Sequence, residues 1–454
     1  MEKDSPQKPV TQNIISSFDS GIKLICQTLR PDRYRHLNEL GTSSYQISRG
    51  AGLSLSAASF GHGSVSVSLE KFNRILDYDS SSGEVEVEAG IKVFEVHNFL
   101  TSKGLFLPIL PGHGQISIGG CVAADIHGKN QLKDGNFLEQ VISLKLFHPS
   151  FGILELSREE NADLFILTCG GYGLTGHILS VKLRAQKLPT NIVITKTHNF
   201  TNLNSGLDLL SEIANRADFT HSWHDFSTPG INFGSGMVFE SNFERTEGNQ
   251  NSIMNTKPII PKFLRIGSQV PVNKFILNTK SIKLMNAAYK GVNPSNMEGR
   301  QIDLADSMFP IHKLQKYYTF LGKRGFHEYQ VILPKNVAAN FLEEMAIIAS
   351  NLHVPITLAS GKVFGGSEKF LRFSGSGICF AVNFPRGGNA NRLLDWLDAH
   401  LIINGGKPNL IKDSRLPRVV VEACYPEIDG FRAQLRSFDA KRLFRSDLSV
   451  RLDL

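Results

Sequence analysis

The stretch LPGHGQISIGGCVAADIHGKN, residues 110–130, decides how this sequence reads. It is dense in glycine, and two similar segments flank it, RGAGLSLSAASFGHG (49–63) and TCGGYGLTGHI (168–178). Glycine tolerates positive φ and lets backbone N–H groups come close to an anion. One such loop is usually only a turn, but several in one part of a chain can wrap a dinucleotide from several sides. None is a GxGxxG between a strand and the start of a helix, which argues against a Rossmann-type NAD site.

Outward from these loops the pattern mixes strands and helices. EVEVEAG (84–90) alternates Glu with Val as a half-buried strand does. KVFEVHNFLTSKG (92–104) places Val93, Val96, Phe99 and Leu100 on one helical face, with Gly104 where a helix-ending glycine belongs. ISLKLFHPSFGILEL (142–156) reads as two strands around a Pro-Ser-Phe-Gly turn, and GHILSVKLRA (176–185) as another strand. The stretch 228–300, rich in Asn, Ser, Gly and Pro, reads as long loops with the composition of mobile segments. EYQVILP (328–334) is a strand, followed by a helix with Val337, Phe341, Leu342, Met345 and Ile348 on one face. GICFAVNFP (377–385) is a strand, and the helix after it carries Leu393, Leu394, Leu397 and Leu401 and closes at Gly405-Gly406. This order predicts the α+β class, with a first domain to about residue 189 and a second over 190–406.

The chain has 454 residues, about three times the ~150-residue prior for one domain. With 41% hydrophobic and 20% charged residues it is not a disordered chain. No apolar run approaches the ~20 residues needed to span a bilayer, and the N-terminal MEKDSPQKPVTQN lacks a signal-peptide core. A cytoplasmic enzyme is expected. The net charge of +7 is spread along the chain, so no basic arm for nucleic acid is expected. The five cysteines (26, 121, 169, 379, 424) are widely spaced with no CxxC pair, as in a reducing compartment and without a structural zinc. Trp223-His224-Asp225 lacks partner ligands at metal spacing, and HExxH and GxSxG are absent. No metal is expected.

At the second and third glycine segments the sequence resembles the flavin-binding core of the vanillyl-alcohol-oxidase (PCMH-type) superfamily, and looks most like the decaprenylphosphoryl-ribose 2′-oxidase family. The matching residues are Leu110-Pro111-Gly112, Gly119-Gly120, Asp125 to Asn130 and Gly170 to Gly176. Two C-terminal segments match as well, KDSR (412–415) and FDAKRLFRSDLSVRLDL (438–454). The likeness covers most of the chain from about residue 45 and is weakest between 228 and 320.

The resemblance implies a two-subdomain FAD-binding domain from residues 1–189 and 407–454, with an inserted α+β substrate domain, 190–406, built on an antiparallel sheet. FAD would lie between them. Its contacts would come from Gly50, Gly52 and Ser54 in the first loop and from Pro111, Gly112, Gly119, Gly120, Cys121 and Ala124 in the second. His127, Gly128, Asn130, Gly173, Gly176, Ile178 and Lys412 would complete the set.

Three departures matter. The family's first loop reads Gly-x-Gly-x-Ser-Tyr-Gly-Asp, whereas here Leu55, Ser56 and Ala57 follow Ser54. Covalently flavinylated relatives carry His before that Ser; here it is Leu53, so non-covalent FAD is expected, and His62 does not fit the attachment position. The family's Gln-x-Gln strand becomes Glu328-Tyr329-Gln330, a carboxylate where the family has an amide.

Lys412, as any lysine, is ordinarily a solvated surface residue. By resemblance it lies against the flavin and the reacting hydroxyl, either as a fixed cation or as a neutral proton acceptor. His127, within DIHGKN, would touch a substrate phosphate or hydroxyl, and Lys129 would project to the same side. Lys362, Gln330, Glu328 and Cys379 match pocket positions, although a core cysteine is commonly just packed. Trp223 matches an aromatic wall residue, with buried packing the equal alternative.

The implied reaction removes hydride from a secondary hydroxyl of a sugar derivative to flavin N5, giving a keto-sugar. By resemblance the substrate is a polyprenyl-phosphate pentose oxidised at 2′, and a separate short-chain dehydrogenase/reductase completes a net epimerisation in cell-wall polysaccharide biosynthesis. A lipid-linked substrate would be met peripherally, at the inner membrane face. The alternatives are an aldonolactone or alditol oxidase of the same superfamily, and a catalytically silent binding protein.

Overall fold

Residues 10–227, 230–244, 278–310, 317–318, 321 and 323–454 are described by the computed structural model. Strands β1 (Thr11–Ser16), β2 (Lys23–Leu29), β3 (Tyr45–Arg49) and β4 (Ser64–Ser68) form a sheet in the order β1-β2-β4-β3, with β2 and β3 both parallel to β4. Hydrophobic alternation does not announce this sheet, because its buried positions include serines. Ser66, 1% exposed, is satisfied by donating to the Ser59 carbonyl at 2.8 Å.

The second sheet follows the expected strands closely. It joins β5 (Ile75–Asp79), β6 (Glu84–Glu88), β8 (Val141–His148), β9 (Gly152–Ser157) and β10 (His177–Arg184) in the antiparallel order β5-β6-β10-β8-β9, while β7 (Leu105–Phe106) pairs with β11 (Gln186–Lys187). Val85 and Val87 point into the core as their alternation requires, but Glu88 at the strand end is fully buried too. Its carboxylate accepts from the Arg74 guanidinium at 2.7 and 3.1 Å, the Arg74 backbone N–H at 2.8 Å and the Tyr34 hydroxyl at 2.8 Å. Buried charge is tolerated only when paired in this way. The helix Val93–Thr101 buries Val93, Val96 and Leu100 as expected. Its fourth buried residue is His97, packed edge-on to Phe309, and Phe99 is only half-buried.

The third sheet has eight strands, all paired antiparallel, between Ile192 and Pro408. These are β12 (Ile192–Phe200), β13 (Phe219–His224), β14 (Gly236–Phe243), β15 (Asn296–Asp303), β16 (Phe326–Leu333), β17 (Leu358–Phe364), β18 (Gly377–Pro385) and β19 (Lys407–Pro408). Their order is β15-β12-β14-β13-β17-β18-β16-β19. Period-two alternation divides the central strands cleanly. Tyr329, Val331, Leu333, Ile378, Phe380, Val382 and Phe384 pack under the helices Lys335–Asn351 and Gly388–Ile403. Residues one step away in register, among them Glu328, Gln330, Lys362, Ala381 and Asn383, face the glycine loops.

Two expectations need correction. The described part of 228–300 is not loop alone, since it holds β14, a helix Thr279–Val292 and the start of β15; residues 245–277 lie outside the described residues. Asn278 starts that helix by capping the N–H groups of Lys280 and Ser281 at 3.0 Å, so one of the asparagines taken as a loop signal is a cap. The buried face of Lys335–Asn351 is Ala338, Phe341, Leu342, Met345 and Ala349; Val337 and Ile348 lie at its margins.

The C-terminal helices Arg418–Cys424, Ile428–Phe438 and Asp447–Leu452 return to the first half, packing on Leu167 and on Tyr172 and Leu174 of the third glycine segment. The segment Phe370–Ser374 straps the halves together. Arg372 donates to the carbonyls of Cys169 and Ile166 at 3.0 and 2.8 Å, and Tyr172 donates its hydroxyl proton to the Leu371 carbonyl at 2.7 Å.

Candidate active site

All three glycine segments meet the cavity-facing side of the eight-stranded sheet around a cavity of about 350 Å³. One wall is backbone and small side chains: Gly50, Gly52 and Ser54, then Pro111, Gly112, Gly119, Gly120 and Ala124, then Gly173, Gly176 and Ile178. The glycines serve two purposes. A Cβ on Gly50 would fall 2.0 Å from the Ser117 hydroxyl, one on Gly119 2.8 Å from the Ala89 Cβ, and one on Gly176 (φ +151°) 2.7 Å from the Phe147 carbonyl oxygen, so there the protein itself requires glycine. At Gly120 an added Cβ would stand 3.1 Å from the Ser117 hydroxyl, a tight contact that a small shift relieves, and at Gly173 the nearest protein atom stands at 3.6 Å although φ +79° itself favours glycine; both positions line the cavity. A long, small-residue groove with exposed backbone is what an FAD needs, so the residues present fit that cofactor.

The opposite wall is built from side chains. Lys412 lies on the segment after β19, and its motif neighbours explain its direction. Asp413 accepts the backbone N–H groups of Arg415 and Leu416 at 2.7 and 3.1 Å, Arg415 grips Asp398 at 2.6 and 3.2 Å, and Ser414 meets Arg386 at 2.6 Å. The Leu55 N–H donates to the Ile411 carbonyl at 3.0 Å, tying the first glycine loop to this segment. With three of the four KDSR residues spent on locking the loop, Lys412 faces the cavity and meets Glu328 Oε1 at 2.9 Å. Glu328 belongs to β16 opposite Asn383, whose side-chain amide nitrogen is buried without a partner beside the cavity.

His127 enters through a reversal at Asp125, which has φ +42° at the end of the short helix Ile118–Ala124. The Asp125 carboxylate accepts the Leu138 N–H at 2.9 Å and lies 3.8 Å from Arg372; burial pushes its pKa up to about 6 against the opposing pull of Arg372. The His127 ring packs edge-on to Phe364. Its Nδ1 stands 3.4 Å from Lys362 Nζ and its Nε2 3.4 Å from the Gln330 amide. Burial, then the nearby ammonium groups of Lys362 and Lys412, hold its pKa well below the ordinary histidine value, so the imidazole is neutral. Gln330 is fixed in turn by Asn409, whose side-chain amide donates to Gln330 Oε1 at 2.7 Å.

Several expected residues do not line the cavity. Cys121 is buried in the first-half core, Gly128 packs against the Asn130 side chain and the Leu110 backbone, and Asn130 spends its amide on the Pro108 carbonyl and Asp134. Lys129 turns away and donates to the Ser307 carbonyl. Cys379 lies beneath Gln330 Nε2, at 3.7 Å, with its thiol pushed up to about 12 by burial. Trp223 packs against Met237, Phe239 and Tyr289, behind the cavity-lining Leu358. Sequence reasoning missed Asn383, Asn409, Tyr172, Ser117 and Tyr318 in the lining. For Asn383 a signal existed: it is on the same face of GICFAVNFP as Cys379, two registers on.

A family model described as an FAD binding domain matches residues 44–157, which hold the first two glycine segments. Decaprenylphosphoryl-beta-D-ribose oxidase of Mycolicibacterium smegmatis is 26% identical over 417 residues, covering 90% of this chain and 89% of that protein. Over shorter stretches, L-gulonolactone oxidase of Mus musculus is 32% identical, covering 31% of this chain and 33% of its own length. L-galactono-1,4-lactone dehydrogenase 2 of Oryza sativa is 36% identical, covering 29% and 22%. The chain is therefore an FAD-dependent oxidoreductase of the PCMH type that acts on CH–OH groups. Within that class, its likeness to decaprenylphosphoryl-ribose oxidase extends over nearly the whole chain, and the expected α+β PCMH-type fold stands. Among the described residues no helix is long and apolar enough to cross a membrane.

Proposed function

We propose that this protein oxidises a secondary hydroxyl of a phosphorylated or lipid-linked pentose, as half of a two-enzyme epimerisation completed by a separate short-chain dehydrogenase/reductase. Residues 1–189 and 407–454 hold the cofactor and 190–406 face the substrate. FAD bound along the glycine wall supplies the hydride acceptor. It is held without a covalent bond, since the residue before Ser54 is Leu53 and His62 is exposed.

The observation that carries this reading is the Glu328–Lys412 pair, 2.9 Å apart on the wall opposite the glycine loops. The ammonium is fixed where a hydroxyl losing its hydrogens builds up negative charge, and such preorganised charge lowers barriers because no solvent must reorganise. Glu328 and the unpartnered Asn383 amide orient the sugar hydroxyls beside it, and neutral His127 offers one further acceptor or donor. The chain meets a lipid-linked substrate peripherally, without spanning the membrane.

An anaerobic titration of the yellow holoenzyme with pentoses, free and phosphorylated, tests the reading. Bleaching by a phosphorylated pentose at substoichiometric oxygen is expected. Bleaching only by aldonolactones would replace this function with that of the lactone oxidases, and no bleaching by any sugar would sink it.

A further inference from the structure

The turn between β1 and β2 touches every segment that places the Glu328–Lys412 pair. It closes with the Ser17 N–H on the Ile22 carbonyl at 2.9 Å, and Ser20 takes φ +61°. Its carboxylate, Asp19, is 1% exposed. One oxygen of Asp19 accepts the Ser17 hydroxyl at 2.5 Å and the Gly21 N–H at 3.0 Å, and the other meets the Arg386 guanidinium. Among the described residues no other acid comes within ion-pair distance of Arg386.

Arg386 follows directly on β18, and its Nη2 reaches both Asp19 and the Ser414 hydroxyl, the latter at 2.6 Å. Its backbone N–H donates to the Gly325 carbonyl at 3.3 Å, and the Phe326 N–H donates to the Asp19 carbonyl at 3.3 Å. A Cβ on Gly325, at φ +76°, would collide with that Asp19 carbonyl, so the close approach itself requires glycine. Phe18 adds a third contact. Its N–H donates to the Ser54 carbonyl of the first glycine loop at 3.1 Å, and its ring packs edge-on to the cavity-lining Tyr318, 5.2 Å between centroids.

Two routes lead from Asp19 to the pair. Its carboxylate holds Arg386, Arg386 holds Ser414, and Lys412 lies two residues before Ser414. Its carbonyl anchors Phe326, and Glu328 lies two residues further along β16. Burying an aspartate against an arginine costs desolvation that offsets much of their attraction, so such a pair is a poor source of stability. What this one fixes is direction, since a single guanidinium nitrogen joins the turn to the KDSR loop.

We propose that Asp19 and Arg386 are positioning residues for the oxidation: through Ser414 and β16 they hold Lys412 at Glu328, and so set how fast a bound hydroxyl is oxidised. Neither lines the cavity, and both act through Lys412. This deepens the function proposed above and rests on its reading of the Glu328–Lys412 pair.

Stopped-flow reduction of the FAD-loaded enzyme by a pentose that bleaches the wild type, with and without Lys412, tests the clasp. Asp19→Asn should slow the limiting rate by about a hundredfold, the cost of a misplacement on the order of 1 Å, with FAD content unchanged. In the Lys412→Ala enzyme the same change should cost nothing more, because the residue it acts through is gone. A brace that only stabilises the fold costs the same in both backgrounds. That additive loss, or wild-type kinetics in Asp19→Asn, overturns the proposal. Should Asp19→Asn fail to hold FAD, Ser414→Ala decides, since it cuts the link to Arg386 and leaves the ion pair whole. Reduction slowed about threefold, and not slowed further in the Lys412→Ala background, supports the clasp; an unchanged rate overturns it.

A second measurement needs no sugar. The amines of the holoenzyme are reductively methylated with isotopically labelled formaldehyde, and the Lys412 resonance is assigned by its loss in Lys412→Ala. Asp19→Asn should move that resonance, and Ser414→Ala should move it less; a resonance unmoved in both overturns the clasp. If no sugar bleaches the wild type, the proposed reaction falls and this resonance alone decides whether Asp19 positions Lys412.

Discussion

The two walls of the cavity are made in different ways. The glycine wall is backbone, held by close approaches such as the Gly119 N–H to the Ala89 carbonyl at 2.7 Å, and it carries little charge. The sheet wall is side chains, with Glu328, Gln330, Lys362 and Asn383 set by strand register and Lys412 by a loop locked through Asp413, Ser414 and Arg415. A cofactor common to many relatives can be held by backbone, which every sequence has. A particular substrate has to be distinguished by side chains. The difference predicts that changes on the first wall cost the cofactor and changes on the second cost the chemistry.

Gly120→Val should make the largest difference: the Ser117 hydroxyl, 3.1 Å from an added Cβ, has to give by a few tenths of an ångström, and the rest of the new side chain enters the space the cofactor would take. A folded, colourless protein is expected by circular dichroism and visible absorbance; a yellow one with normal FAD affinity would break the comparison. Gly119→Val is its control: with Ala89 2.8 Å from any added Cβ, it should lower the melting temperature as well.

On the sheet wall, Lys412→Ala should leave FAD bound and slow substrate-driven bleaching by roughly two to three orders of magnitude, the usual effect of removing one preorganised charge. Stopped-flow reduction at the wild-type rate would remove Lys412 from the reaction. Glu328→Gln should shift the ratio of kcat/KM between competing sugars by about tenfold while FAD content stays the same, since one hydrogen-bonding partner is exchanged and a lysine released. An identical substrate profile would mean that Glu328 acts only as a brace.

The smallest effect is expected at the seam. Asp125 has its folded pKa raised from the ordinary 3.8 to about 6 by burial. The folded state therefore holds this proton more tightly, and the stability it contributes is full below about pH 4 and lost as pH rises through about 6. Asp125→Asn should flatten that part of the stability curve, by about 1–2 kcal/mol at neutral pH, in urea titrations followed from pH 4 to 7. An unchanged slope would assign the pH dependence to other groups.

The glycine segments, the central strands and the KDSR loop were legible in the sequence because each is a local pattern: close backbone approach needs glycine, strands alternate, and helices repeat every three to four residues. The four-stranded sheet at the N-terminus was not legible, since its buried serines hide the alternation. Nor was the helix Thr279–Val292, whose polar residues leave only Ile282 buried.

Within the site, proximity in sequence misled. Lys129 and His127 are two residues apart, yet after the reversal at Asp125 the Lys129 amine goes to the Ser307 carbonyl and His127 lines the cavity. Residue identity alone pointed to FAD and picked out the three glycine loops. Which side chains face the cavity was decided only when the β16–β18 register and the strap at Arg372 brought residues more than two hundred positions apart into contact. Local preferences act over one turn or one strand, whereas ion pairs and cavities exist only where distant segments meet.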